Sequence, residues 1–300
     1  MKTVVIFGGS GFIGNHIIRR LAKNDYKIIV PFQYREKEAK LRFFGSVGQI
    51  IPIEFKNLTD KKILKSIQIA DVVINLKTQW KKKPVSFEEG IFNFNVELVK
   101  IINKFNKSKL FLYFSGLGID NSSSKRTAVI AKTEKFIKQN CVNASIIRPG
   151  VVIGGGDQFL KKLLKIIRIS FLLPIFGSKK TMIQPVFVDD VSKGVEKIIK
   201  NNIKDFHIFE FVGNEVFTYE SFYVLILENL SLNRIIINIP YSLGLIGAFI
   251  FEKIGMNIIT VEQMKLLKKD SISINIDKNL KNLNIDPQDI RGILNIYLKK

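Results

Sequence analysis

Val5-Ile6-Phe7-Gly8-Gly9-Ser10-Gly11-Phe12-Ile13-Gly14 is the stretch that decides the fold. An apolar run beginning at Thr3 enters a glycine turn. It leaves as Ile13–Lys23, with apolar residues at three-to-four spacing, so the segment reads as strand, turn and helix. The glycines fall as G-x-x-G-x-x-G. Gly8 permits the tight turn, Gly11 lets backbone N–H groups approach a pyrophosphate, and Gly14 lets the helix lie close to the sheet. The helix N-terminus then offers unpaired donors and a partial positive charge to the phosphates.

Outward from this turn, short β-type runs alternate with amphipathic stretches over the first half of the chain. Strands are expected at Thr3–Phe7, Lys27–Phe32, Gln49–Glu54, Asp71–Leu76, Leu110–Ser115 and Ala144–Arg148. Several are continuously apolar, as strands buried on both faces of a parallel sheet are. The expected fold class is α/β, a doubly wound parallel sheet of Rossmann type with a smaller mixed α/β C-terminal lobe. Residues 1–155 are assigned to the dinucleotide-binding domain and 156–300 to the lobe, with a helix near 189–201 returning to the first domain. After Pro149 the reading has a basic amphipathic helix at Phe159–Ile169, a loop starting at Leu173-Pro174, and a short strand at Val186-Phe187-Val188. In the lobe it has a strand near Ile208–Val212 and a helix near Tyr219–Asn229. Leu243–Phe251 has no polar residue at any helical position and is too short to span a bilayer, which needs about 20 residues. It reads either as a helix buried in the lobe or as an apolar face that docks on a membrane or partner.

Composition removes whole classes of function. An apolar content of 46% with 24% charged residues excludes a disordered chain. The single cysteine, Cys141, excludes a disulfide scaffold, and with only His16 and His207 no metal site is expected. Lys and Arg outnumber Asp and Glu by 47 to 26, a net charge of +21. Only 9 of these are arginines and the lysines are dispersed, so no nucleic-acid reader is expected. A basic surface suits anionic lipid or an acidic protein partner. Because the chain enters a strand at Thr3, no signal peptide is expected. A cytoplasmic location follows, peripheral to the inner face of the cell membrane if the basic surface meets lipid.

The second strand ends in Pro31-Phe32-Gln33-Tyr34-Arg35, without the acid that would grip a ribose 2′-hydroxyl. Arg35 is placed to pair with a 2′-phosphate, so NADP(H) is expected, with NAD(H) as the alternative.

These residues resemble the atypical short-chain dehydrogenase/reductase group that includes the nucleotide-binding accessory subunit of respiratory complex I, within the epimerase/dehydratase-like superfamily. The resemblance is carried by the opening glycine block, Gly45-Ser46-Val47-Gly48-Gln49-Ile50, Val72-Val73-Ile74-Asn75-Leu76 and Ser86-Phe87-Glu88. It continues through Arg148-Pro149, Asp157-Gln158-Phe159 and Gln184-Pro185-Val186-Phe187-Val188-Asp189-Asp190-Val191. It implies Gly8, Ser10, Gly11, Phe12, Ile13 and Gly14 around the pyrophosphate, Asn57 and Leu58 beside the adenine, and Leu76 facing the ribose and phosphates. Relatives often carry Arg where Gln33 stands, and Asp where Asn57 stands; Asn57 keeps an acceptor for the adenine amino group. The implied partners are the other subunits of a membrane respiratory complex.

Reductases of this superfamily use Tyr-x-x-x-Lys on a helix, with a Ser ending the preceding strand. Here Lys132 is matched to the Lys and Ser115 to the Ser, while Ala128 stands in the Tyr position. An alanine methyl moves no proton, and losing a general acid costs about 10²–10⁴ in rate. The expectation is an NADP(H)-binding accessory or assembly subunit without dehydrogenase turnover. The alternatives are an active reductase or sugar-nucleotide epimerase/dehydratase in which Lys132 or Asp120 substitutes as the acid, and a redox-ratio sensor. Asp189-Asp190 read as cap and first-turn acid of the following helix. Trp80 with Lys81-Lys82-Lys83 reads as a basic loop, and Cys141 is not expected to be a nucleophile.

Overall fold

The computed structural model describes residues 1–33, 38–80, 84–119, 124–255, 259–274 and 278–299. The first half runs β1 (Thr3–Phe7), α1 (Phe12–Lys23), β2 (Lys27–Phe32), α2 (Glu38–Arg42), β3 (Ile50–Glu54), α3 (Lys61–Ile69) and β4 (Val72–Asn75). A π-helical turn (Glu88–Asn93) leads into α4 (Phe94–Phe105), then β5 (Leu110–Phe114), α5 (Lys125–Asn140) and β6 (Ala144–Pro149). The remainder adds β7 (Val152–Ile153), α6 (Gln158–Ile169), β8 (Leu172–Phe176), β9 (Met182–Ile183), β10 (Val186–Phe187), α7 (Val188–Lys200) and β11 (Phe206–Phe211). It ends with β12 (Phe217–Thr218), α8 (Tyr219–Leu230), β13 (Ile235–Ile239), α9 (Tyr241–Lys253), α10 (Val261–Leu266) and α11 (Ile290–Leu298).

Seven strands form one parallel sheet in the order β11-β6-β5-β4-β1-β2-β3. The order reverses between β1 and β4, which is where ligands bind in open α/β sheets. Successive residues of β1 serve opposite faces. Val4 and Ile6 pack with α1 and α7, whereas Val5 and Phe7 pack with α3, α4 and α5. That alternation explains the unbroken apolar runs, since both faces of the sheet are covered.

Two elements depart from the sequence reading. The strand near Ile208–Val212 was expected in the lobe, yet Phe206–Phe211 pairs in parallel with β6 and completes the main sheet. Helix α7 delivers it there by packing along α1, where Arg20 donates to Asp189 at 2.8 Å and to Glu196 at 3.3 Å. The expected loop at Leu173-Pro174 is instead β8, paired with β13. This two-stranded sheet tolerates Pro174 because a strand bonded on one side only has positions whose N–H is not needed. The lobe has its own core, built around Leu160, Ile167, Ile183, Phe222 and Leu294.

Several residues of the quoted blocks act as structural ties. Gln49 donates to the carbonyls of Ala22 and Tyr26 and accepts from the Ser46 N–H. Asp157 caps α6 through the Leu160 N–H, and Gln184 bridges Gly213 and Ser273. Asp190, fully buried, accepts from Gln288 and Lys193, while Asp189 pairs with Arg20. Both acids sit in the first turn of α7, whose cap position is Phe187 rather than Asp189. Among the described residues no group of His, Cys, Asp and Glu could hold a metal ion. The free thiol of Cys141 is buried, and burial pushes its pKa up to about 12, so it remains protonated at neutral pH.

Candidate functional site

The glycine turn has the shape that phosphate binding requires. Gly8 holds φ +77°, and a Cβ there would lie 2.9 Å from the backbone of Leu76 and Lys77. A Cβ on Gly14 would lie 2.5 Å from the Gly9 carbonyl oxygen, so only glycine lets α1 sit this close to the turn. The Gly11 position, capping α1, supplies no side-chain hydrogen bond, and the first turn of α1 carries no acid. Its leading N–H groups therefore face the carboxyl edge of the sheet without an internal anion. Ser10, Phe12 and Ile13 stand around the turn, half-buried. The chemistry of this cradle, glycine backbone and uncapped helix N–H groups, fits a pyrophosphate.

Leu76 follows β4, its N–H donating to the Phe7 carbonyl, which sets it against Gly8. Asn57 and Leu58, expected beside the adenine, follow β3. The exposed Asn57 accepts at Oδ1 from the N–H and the hydroxyl of Thr59. Leu58 is only 1% exposed and packs into the core. Arg35, Asp120 and Lys81-Lys82-Lys83 lie outside the described residues.

At the other end of the cleft, the helix register overturns the expectation for Lys132. The sheet-facing residues of α5 include Arg126, Ile130, Glu134 and Ile137. Lys132, two residues past Ile130, falls about 200° around the helix. It is exposed, paired with Glu88 and held 3.9 Å above the Phe92 ring, away from the sheet. The inward pair four residues apart is thus Arg126 and Ile130, so this face carries neither phenol nor ammonium. Counting back from the apolar residues of α5 by threes and fours would have found Arg126.

Arg126 was missed in the sequence and dominates this corner. Its Nε donates to the Gln79 carbonyl at 2.8 Å, its Nη2 to Thr78 Oγ1 at 2.7 Å, and its guanidinium lies 3.8 Å from the Trp80 ring centroid. Burial pushes its pKa down to about 10, which leaves it a cation at neutral pH. Ser115 follows β5, and its buried hydroxyl has no hydrogen-bond partner among the described residues. Lys77 follows Leu76, and its half-buried ammonium sits 4.0 Å over the Phe94 ring with its pKa lowered by burial. Beneath it, Asn75 Nδ2 donates to Asn95 Oδ1 at 2.8 Å. Tyr113 is no substitute acid, because it is fully buried in the core and burial pushes its phenol far above its usual range.

Comparison with known proteins agrees with the fold. Residues 4–118 match the NAD dependent epimerase/dehydratase family. The NADH-ubiquinone oxidoreductase 40 kDa subunit of Neurospora crassa is 25% identical over 99% of this chain and 79% of its own. NADH dehydrogenase (ubiquinone) 1 alpha subcomplex subunit 9 of Rattus norvegicus is 30% identical, over 69% of this chain and 56% of its own. Over residues 4–118 the chain is similar to the NAD dependent epimerase/dehydratase family. In fold, the chain resembles a Bacillus cereus UDP-glucuronic acid 4-epimerase solved with UDP-glucuronic acid and NAD. The TM-score is 0.73 at 15% identity, over 99% of each chain. The chain's fold is one that binds nicotinamide dinucleotides.

Proposed function

We propose that this chain is an accessory or assembly subunit of a respiratory NADH–quinone oxidoreductase that holds NADP(H) without turning it over. One observation carries the reading: α1 opens its N-terminus to a dinucleotide, while the inward face of α5 offers Arg126 and Ile130 where hydride chemistry needs an acid and its lysine. Gly8, Ser10, Gly11, Phe12, Ile13 and Gly14 cradle the pyrophosphate, with Leu76 beside them. The preference for the phosphorylated cofactor rests on the second strand ending in Phe32-Gln33 with no carboxylate, and on Arg35 just beyond. When bound, the nicotinamide group would supply hydride chemistry, and here Arg126 and Ile130 stand where the phenol and the lysine of that chemistry are needed.

The docking role is supported by α9. Its small residues Gly244 and Ala248 are buried, while Leu243, Ile246, Phe249 and Ile250 are each at least half exposed. No helix among the described residues is long and apolar enough to cross a membrane. This face, on a chain of net charge +21, suits a peripheral position against a partner subunit at an anionic membrane on the cytoplasmic side. Mass spectrometry of natively purified protein is expected to find retained NADP(H), with no NADPH-dependent reduction of quinones or carbonyl compounds. Absence of any nucleotide, or turnover at ordinary enzyme rates, would overturn the proposal.

A further inference from the structure

We propose that Arg126 makes the cleft discriminate between the two oxidation states of its dinucleotide, binding the reduced form more tightly. The inference rests on the dinucleotide reading above and adds a selectivity to it.

Position comes first. The glycine turn fixes the phosphates at the β1 end, where the strand order reverses, and so divides the carboxyl edge into two halves. The adenosine half extends toward β2 and β3. The nicotinamide half must then extend toward β4 and β5, over the segment that follows Asn75. Arg126 is bonded to that same segment through Thr78 and Gln79 and is roofed by Trp80.

Charge comes second. Both acceptors on the guanidinium are neutral, a hydroxyl and a backbone carbonyl. The nearby carboxylate, Glu262, is already spent: it accepts from the Ser124 hydroxyl, from the Arg126 backbone N–H and from the Lys265 ammonium. Among the described residues no carboxylate forms an ion pair with the Arg126 guanidinium. Among the described residues its nearest carboxylate, Glu262, acts on the guanidinium only through the field and shares its charge with Lys265, and burial strengthens the field of the cation. Lys77 adds a second ammonium on the same strand end. An oxidised nicotinamide ring is cationic and a reduced one is neutral, whereas the phosphates, riboses and adenine are common to both. The affinity ratio of the two forms therefore reports the field at the ring alone.

The test is calorimetric titration of the nucleotide-free full chain with NADPH and with NADP⁺. NADPH is expected to bind roughly tenfold or more tightly than NADP⁺, the effect of one like charge a few ångströms away at protein-interior screening. Arg126→Gln should bring the ratio close to one, and Arg126→Lys should retain most of it. Equal affinities in the parent overturn the inference, as does a preference that survives unchanged in a folded Arg126→Gln. If that variant does not fold, Thr78→Val removes the hydroxyl that fixes Nη2 at an exposed position; an unchanged ratio there counts against the inference and a reduced one supports it. Failure of the parent to bind either form is a different result, which removes the dinucleotide reading itself.

Discussion

Two helices begin at the carboxyl edge of the same sheet and treat their N-termini in opposite ways. Helix α5 is fully provided for: Ser124 caps it, and Glu262 reaches across from α10 to accept the Arg126 N–H. Helix α1 has neither a capping side chain nor a first-turn acid. Since a helix start presents unsatisfied donors and partial positive charge, the pair works as an internal comparison. Where the chain supplies its own anion, that helix end is committed to structure. At α1, which follows the glycine turn, it supplies none.

The sharpest way to break this contrast is to give α1 what α5 already has. Ser10→Asp places a carboxylate at the start of α1, and isothermal titration should show nucleotide affinity falling more than tenfold through repulsion of the pyrophosphate. Thermal unfolding of the nucleotide-free protein should rise slightly, by ~0.3–1 kcal/mol from the helix dipole. An unchanged affinity would mean that the phosphates lie elsewhere.

Next in size is Gly14→Ala. Its Cβ would meet the Gly9 backbone at 2.5 Å, so α1 must move outward. A loss of about 1–3 kcal/mol in denaturant unfolding is expected, together with loss of nucleotide binding.

On the α5 side, Glu262 should make stability fall in acid. Burial pushes its carboxyl up, but hydrogen bonds from Ser124, Lys265 and the Arg126 N–H more than offset this and hold it below its ordinary 4.5. A depressed folded pKa contributes stability that is complete above the unfolded value and is lost as pH falls through the folded one. Urea unfolding of the parent should therefore weaken below about pH 4.5 more steeply than that of Glu262→Gln, with matching acid limbs as the refuting outcome. Ser124→Ala should cost ~1 kcal/mol and leave nucleotide affinity unchanged. The smallest effect belongs to Lys132→Met. Its pair with Glu88 is exposed, so stability should shift by less than about 1 kcal/mol and nucleotide affinity should not move. A large loss of affinity there would restore Lys132 to the cleft.

The parallel sheet was legible because its strands are apolar on both faces, and the glycine turn because its three glycines sit between strand and helix. What escaped was register and long-range pairing. Lys132 was matched by its place in a four-residue motif, yet two residues of slip on a helix turn a side chain to the opposite face. The local turn in which Thr59 donates to Asn57 was likewise not disclosed by residue identity. Strand β11 was assigned to the lobe because nothing in Phe206–Phe211 reveals that its partner is β6, more than fifty residues earlier. Arg126 reads as a solvent-facing base in a Lys-rich chain until Thr78, Gln79 and Trp80 are seen to enclose it.

That late seventh strand has a consequence for biosynthesis. Until Phe206–Phe211 emerges from the ribosome, β6 is the outermost rung of a nascent sheet, showing an open backbone ladder flanked by Ala144, Ile146 and Ile147. Unprotected apolar rungs of this kind invite pairing with neighbouring chains. The interval between synthesis of Pro149 and of Phe211 is thus the vulnerable period of this protein's folding, when a holdase chaperone has the most to shield.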